Sequence, residues 1–456
     1  MQTGLLSLDK AERHITALME KHSIPGYAIG VNKNGERLYE KGFGFREMEK
    51  QQPVTMDTVF GIASITKSFT CVAIMHLQEA GLLNVNDAVT KYLSEFKTKD
   101  PEKTAKMTIR QFMSHTSSLP PLPSHLNHDR PVNNFTDYME FIGDLNMELL
   151  GEPGETFSYS NHAYSLLGCV IERVSGQSYE AYIKEHILLP AGMHRTVIEL
   201  ADLEGDPDIT VLYEAKKVRG EVVVYPLDGW QDHEPLEFAS GYLKSTVRDM
   251  LRYAEIFRTG GCVGENRILS ADSVRQMTTP CIEVEPGKSY GYGLFLTEDP
   301  DGSRVVEHSG SMDGIASLMR IIPEQGLTGI AMTNLSAVPS GAMLRSTMNA
   351  IRDIDLHATR YPSESIQLPQ EALQEYAGTY RSKEGVTVEI GTYGGQLTLF
   401  TDSEYHPVRC IEEDLFITNI RDDEEIMQFL RDGSGAVIRL AYHSRQLMKQ
   451  TGNDEQ

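Results

Sequence analysis

Between residues 66 and 80, Phe69, Val72, Ala73, Ile74, Met75 and Leu77 recur at helical spacing, and Gly81 ends the run as a C-terminal glycine does. Ser64 and Lys67 sit three residues apart at the head of this predicted buried helix, so their side chains share a face. A lysine there opposes the positive end of the helix dipole and, when buried, loses hydration. Both effects lower its pKa toward that of a useful base. Ser94-Glu95-Phe96-Lys97 repeats the spacing in a charged stretch with no apolar helix behind it, so Ser94 is expected at the surface.

Elsewhere an amphipathic helix is predicted over 8–22. A hairpin follows from runs at 27–31 and 37–45 about the Asn34-Gly35 turn. Residues 64–253 read as helices and long loops, including a helix at 163–174 that closes at Ser175-Gly176. Strand character returns at 293–296, 304–309, 314–322 and 327–334, followed by a helix over 340–353. An early hairpin and a late antiparallel meander imply one sheet built from both ends of the chain, with the helical insertion as a second lobe and a cleft between them.

Residues 355–369 are polar, proline-containing and aperiodic, as in a linker. Seven short β runs then follow, at 376–381, 386–390, 396–400, 406–410, 415–420, 426–430 and 436–442, implying a small all-β barrel or sandwich. The predicted fold class is α+β, with a sheet-and-helix region over 1–355, a linker over 356–370 and a barrel over 371–456.

The chain has 456 residues, long enough for two or three domains, and no apolar run long enough to span a bilayer. Its start lacks a secretion-signal pattern, so the expected location is cytoplasmic. A net charge of -23 argues against nucleic acid and anionic membranes as partners. Five scattered cysteines suggest buried thiols rather than disulfides or zinc. His125 and His128 sit in a Pro/Asn-rich loop without a carboxylate cluster, so no metal and no cofactor is expected.

Taken in order, Ser64-x-x-Lys67, Tyr159-x-Asn161 and His308-x-Gly310 resemble the three motifs of the penicillin-binding-protein and class C β-lactamase superfamily of serine hydrolases. Phe60 to Ala63, Met113 to Ser117, Pro153-Gly154-Glu155, Gly241 to Thr246 and Tyr290 to Gly293 are similar to its flanking signatures, and the resemblance covers about residues 8–353. The segment opening Tyr376-Ala377-Gly378-Thr379-Tyr380 is similar to the lipocalin-like barrel appended to some members.

The resemblance implies Ser64 as nucleophile, with Lys67 and Tyr159 relaying its proton. Asn161, His308, Gly310 and Ser311 would bind substrate, and the backbone N–H groups of Ser64 and Ser311 would form the oxyanion hole. His308 replaces the commoner lysine and is only partly cationic near neutrality, so it would attract a carboxylate less strongly. Its imidazole would contact the far side of the substrate or polarise Tyr159. This variant resembles the branch containing D-aminopeptidases, D-peptide peptidases and esterases. Ser118 stands where glycine is usual.

The implied substrates are D-amino-acid peptides, amides or esters, with β-lactams as covalent ligands and a homo-oligomer as a further expectation. A β-lactamase or carboxylesterase proper, and a catalytically silent ligand sensor or scaffold, are the alternatives. Gly287-x-Ser289-x-Gly291 also matches a nucleophile elbow, but that motif requires a strand before it and a helix after it, and a strand is predicted to follow.

Overall fold

The computed structural model describes residues 2–121, 137–139, 141, 147–230, 238–362, 364–382, 385–401 and 404–450. His125 and His128 lie outside them.

A nine-stranded sheet runs in the order Ile282–Glu285, Lys288–Tyr290, Phe295–Glu298, Arg304–Met312, Ile315–Ile322, Leu327–Thr333, Gly26–Lys33, Glu36–Glu47 and Gln52–Pro53. Tyr27 pairs with Thr333 and Val31 with Gly329, so the early hairpin joins the late meander antiparallel, as the two-ended pattern implied. Both faces of the central strands are buried. Tyr27, Ile29 and Val31 pack with Ile15, Leu18, Met343, Leu344 and Met348 of the helices Gln2–Lys21 and Ser340–Ile351. Ala28, Ile330 and Met332 face the core built around the Thr66–Glu79 helix. Period-two alternation thus gives one strand two apolar faces and lets a single sheet carry two layers of helices.

The Asn161–Ser175 helix is capped by the Ser160 hydroxyl, which accepts from Ala163 N at 3.3 Å, and by left-handed Gly176. It starts two residues before the predicted 163, so Asn161 is its first residue rather than part of a loop. The insertion also carries a hairpin, Tyr213–Val218 with Glu221–Pro226, that the helix-and-loop reading did not anticipate. The strand predicted to end at 309 runs on to Met312, which places His308 inside it.

At the C-terminal end, eight strands close into a barrel. The Gln370–Tyr376 helix packs Leu373 and Tyr376 against its core, alongside Phe416, Phe429 and Leu440. The eighth strand, Arg445–Lys449, was not predicted. Only its central Leu447 is buried, so it carries almost no apolar alternation to read. Cys71, Cys169 and Cys410 are buried thiols, whereas Cys262 is partly exposed and Cys281 exposed, and all five are unbridged. Among the described residues, no helix is long and apolar enough to cross a membrane.

Candidate active site

Phe60 and Gly61 pair with Ser245 and Lys244, and the chain then turns through Ala63, whose φ of 44° is in the left-handed region. A non-glycine residue held there stores local strain, as at other nucleophile turns. Thr66 Oγ1 donates to Ala63 O at 2.7 Å and accepts from Leu243 N at 3.2 Å, fixing the turn to the next segment. Ser64 emerges partly exposed, at the head of the helix that carries Lys67.

Lys67 is completely buried. Its Nζ lies 3.1 Å from Ser64 Oγ, 2.8 Å from Asn161 Oδ1 and 2.8 Å from the Ser240 carbonyl oxygen. The carbonyl and amide oxygens can only accept, so they take two of its N–H groups and leave the third position facing the serine hydroxyl. Tyr159 lies on the other side, its ring centroid 4.8 Å from Nζ and its hydroxyl hydrogen-bonded with Ser64. Burial pushes the Tyr159 pKa well up, and the bond to Ser64 offsets part of that rise, so the phenol holds its proton in the resting site.

Gly310 lies against the Ser64 turn. A Cβ at this position would meet Ile62 O at 2.1 Å and Ala63 Cβ at 3.0 Å, and Ser317 Oγ donates to the same Ile62 O at 2.9 Å. Only a glycine lets the strand, which carries exposed Ser311 as its next residue, approach the Ile62–Ala63 turn so closely.

His308 differs from its expected state. It is buried, Nδ1 donates to Ser309 O at 2.7 Å, and Nε2 therefore accepts from Tyr290 Oη at 3.1 Å. Burial, reinforced by the charge of Lys67, lowers its pKa to about 3. The partly cationic imidazole expected from the sequence is thus a neutral one, with both ring nitrogens occupied.

His115, which entered the sequence analysis only within a flanking signature, packs on the cluster around Tyr159. Its ring lies 4.2 Å from that of Tyr159, 4.9 Å from Tyr164 and 5.1 Å from Tyr290. Ser160 N donates to its Nδ1 at 3.1 Å, which positions the residue following Tyr159. The Ser240 carbonyl was also missed, because a backbone acceptor leaves no mark on residue identity. Ser118 takes a φ of 64°, the conformation a glycine would adopt freely, and its hydroxyl donates to Glu152 O at 2.7 Å. Ser94 is exposed, as expected. Ser289 lies within the Lys288–Tyr290 strand and another strand follows it, so the nucleophile-elbow reading fails.

The chain is similar to several known proteins. Over 321 residues the chain is 29% identical to Protein flp of Staphylococcus aureus (strain MW2), covering 70% of this chain but 61% of that relative, so it spans about three fifths of flp's length. It is 27% identical over 395 residues to Penicillin-binding protein 4* of Bacillus subtilis (strain 168), covering 84% and 85% of the two chains. The solved octameric penicillin-binding protein homologue from Pyrococcus abyssi is 28% identical, with a TM-score of 0.69 over 97% of this chain and 99% of that one. The Beta-lactamase family model matches residues 11–349, most of the chain, and with Ser64, Lys67, Tyr159 and Asn161 gathered in one cleft the protein belongs to that family, whose members are serine hydrolases.

Proposed function

We propose that the protein is a serine hydrolase that works through a covalent acyl-enzyme on D-amino-acid-containing peptides, amides or esters, and that β-lactams acylate the same serine. The observation that carries this reading is Lys67 Nζ, held by two pure acceptors with its remaining position on Ser64 Oγ.

As a free amine, Lys67 donates to Asn161 Oδ1 and Ser240 O and presents its lone pair to the Ser64 hydroxyl. Ser64 Oγ attacks the carbonyl carbon while its proton passes to Lys67, and Tyr159 gives its own proton to the leaving nitrogen or oxygen. The C–N or C–O bond breaks, and the proton on Lys67 passes directly to the Tyr159 phenolate, since the acylated Ser64 Oγ has none to relay. Water then repeats the sequence on the ester, releasing the acid and restoring Ser64. The backbone N–H groups of Ser64 and Ser311 hold the oxyanion, each such donor typically contributing ~2.7–4 kcal/mol. Asn161 orients Lys67 and the substrate amide. His308, neutral and bonded to Tyr290, supports the wall behind Tyr159 rather than supplying a cation.

Residues 1–355 would carry this chemistry, 356–370 the connection and 371–456 the barrel. The kinship with proteins named for penicillin binding supports the choice of ligand, and the octameric state of the Pyrococcus relative supports a homo-oligomer.

Intact-mass analysis after exposure to a penicillin, followed over time, tests the reading. A Ser64 adduct is expected in the wild-type chain and none in a folded Ser64→Ala variant; an adduct retained on that variant overturns it. A persistent adduct marks a penicillin-binding protein and rapid loss marks a β-lactamase. Without any adduct, turnover of D-aminoacyl esters separates a peptidase or esterase from a silent sensor.

A further inference from the structure

His115 holds the chain on both sides of Tyr159. Ser158 N donates to the His115 carbonyl oxygen at 2.7 Å and Ser160 N donates to its Nδ1 at 3.1 Å, so the backbone and side chain of one residue fix the residues before and after the phenol. The imidazole also lies against the phenol itself, with ring centroids 4.2 Å apart and planes inclined by 33°. Its own segment is anchored in turn. Met113 O accepts from Tyr164 Oη at 2.7 Å and from Gly293 N at 3.2 Å, and Thr116 O accepts from Gly154 N at 2.7 Å.

These bonds set the tautomer. A backbone N–H can only donate, so Nδ1 carries no proton and the wholly buried ring is neutral, with its hydrogen on Nε2. Among the described residues that Nε2 has no hydrogen-bond partner, and the ring lies among those of Phe157, Tyr159, Tyr164 and Tyr290, whose faces are weak acceptors. The His115 backbone is held in the left-handed region as well, at a φ of 55°. An orphaned buried donor and a strained non-glycine backbone both cost stability, and such features cluster where a site needs the geometry they give.

We infer that His115 is a positioning residue for proton delivery, holding the Tyr159 phenol where its hydroxyl reaches the leaving group of the substrate. This rests on the acyl-enzyme reading above, in which Tyr159 gives its proton to the leaving nitrogen or oxygen. Ser64 and Lys67 also contact the phenol, but both change protonation or bonding during the cycle and cannot hold it constant. His115 exchanges no proton, because its accepting nitrogen is occupied by a main-chain N–H. Burial first, and then Lys67, also keep its pKa well below the usual imidazole range, so the ring stays neutral while protons move beside it.

The test uses the full chain and two N-benzoyl-D-alanyl esters that form the same acyl-enzyme. One releases p-nitrophenolate, which departs without a proton, and the other releases ethanol, whose alkoxide needs one. His115→Ala should lower kcat/KM for the ethyl ester by roughly 10- to 100-fold and for the nitrophenyl ester by less than about threefold. His115→Asn, whose Oδ1 can stand in for Nδ1 and whose backbone tolerates a positive φ, should recover part of the ethyl-ester rate; His115→Phe, a ring without an acceptor, should recover less. Equal losses on the two esters, or no loss on either, overturn the inference, since a role in the fold alone would not distinguish leaving groups. Should every variant fail to fold, imidazole NMR of the wild-type chain must show His115 protonated on Nε2 from pH 8 to about 5, and a titrating or Nδ1-protonated ring overturns it. Acylation of Ser64 with equal losses in the variants sinks this inference alone, whereas no acylation of Ser64 by either ester in the wild-type chain sinks the acyl-enzyme reading with it.

Discussion

Lys67 Nζ and Asn161 Oδ1, 94 residues apart in the chain, meet at 2.8 Å in a site where the lysine is wholly buried. The contact joins the first turns of two helices and fixes the amine against Ser64. Replacing Lys67 by Met removes the proton acceptor while keeping the bulk. Acylation of Ser64 by a penicillin should slow by roughly 10²–10⁴-fold, the usual contribution of a positioned acid–base group, as followed by intact mass. Asn161→Ala should slow it less, because Ser240 O still holds the amine; an effect equal to that of Lys67→Met would give Asn161 a larger part than orientation.

His308 should not titrate in the physiological range. Its folded-state pKa is depressed to about 3 from the ordinary 6.5, so the unfolded chain binds more protons between those values. The contribution of His308 to stability is therefore full above about pH 6.5 and lost as pH falls toward 3. Imidazole NMR should show one neutral tautomer, Nδ1 protonated, from pH 8 to about 5. An inflection near 6.5 would contradict the burial and bonding described.

Gly310→Ala places a methyl group 2.1 Å from Ile62 O, in a strand held by its neighbours. The backbone must move by more than a soft side chain could absorb. The variant should lose about 1–3 kcal/mol of stability and displace Ser311 from the cleft. Chemical denaturation and the acylation rate together check this, and a variant with wild-type values for both would show that the approach is not obligatory.

Glu425 lies on the barrel strand Asp423–Arg431, facing Asp423, Glu285, Lys288, Arg345 and His443. Burial first, and then Asp423, raise its pKa to about 7 from 4.5. The folded state thus holds a proton that the unfolded chain has released between those values. The sign follows: stability is greater at low pH and declines as pH rises from about 4.5 through 7. Glu425→Gln should flatten that decline and raise the melting temperature at pH 8, where the carboxylate is ionised in both states. A melting temperature lowered at pH 8 would refute the assignment.

The three motifs lay in plain view because each places chemistry-bearing residues at short fixed spacing: serine and lysine on one helical face, tyrosine and asparagine across a helix start, histidine and glycine along a strand. The sheet assembled from both chain ends was legible for a similar reason, since its strands alternate or run apolar over several residues. Arg445–Lys449 was not legible, because closing a barrel requires only one buried residue from it. Nor was the Tyr213–Val218 hairpin, whose strands are largely exposed.

Residue identity and spacing by themselves therefore picked out Ser64, Lys67 and Tyr159 as the candidate nucleophile, amine and phenol, and the family's order of motifs. Only the folded chain decided the charge of His308, because protonation follows burial and hydrogen-bond partners rather than residue type. It likewise decided that Ser240 contributes a carbonyl and that His115 backs Tyr159. Those are relationships between segments distant in sequence. They arise where packing brings surfaces together, and no local pattern encodes them.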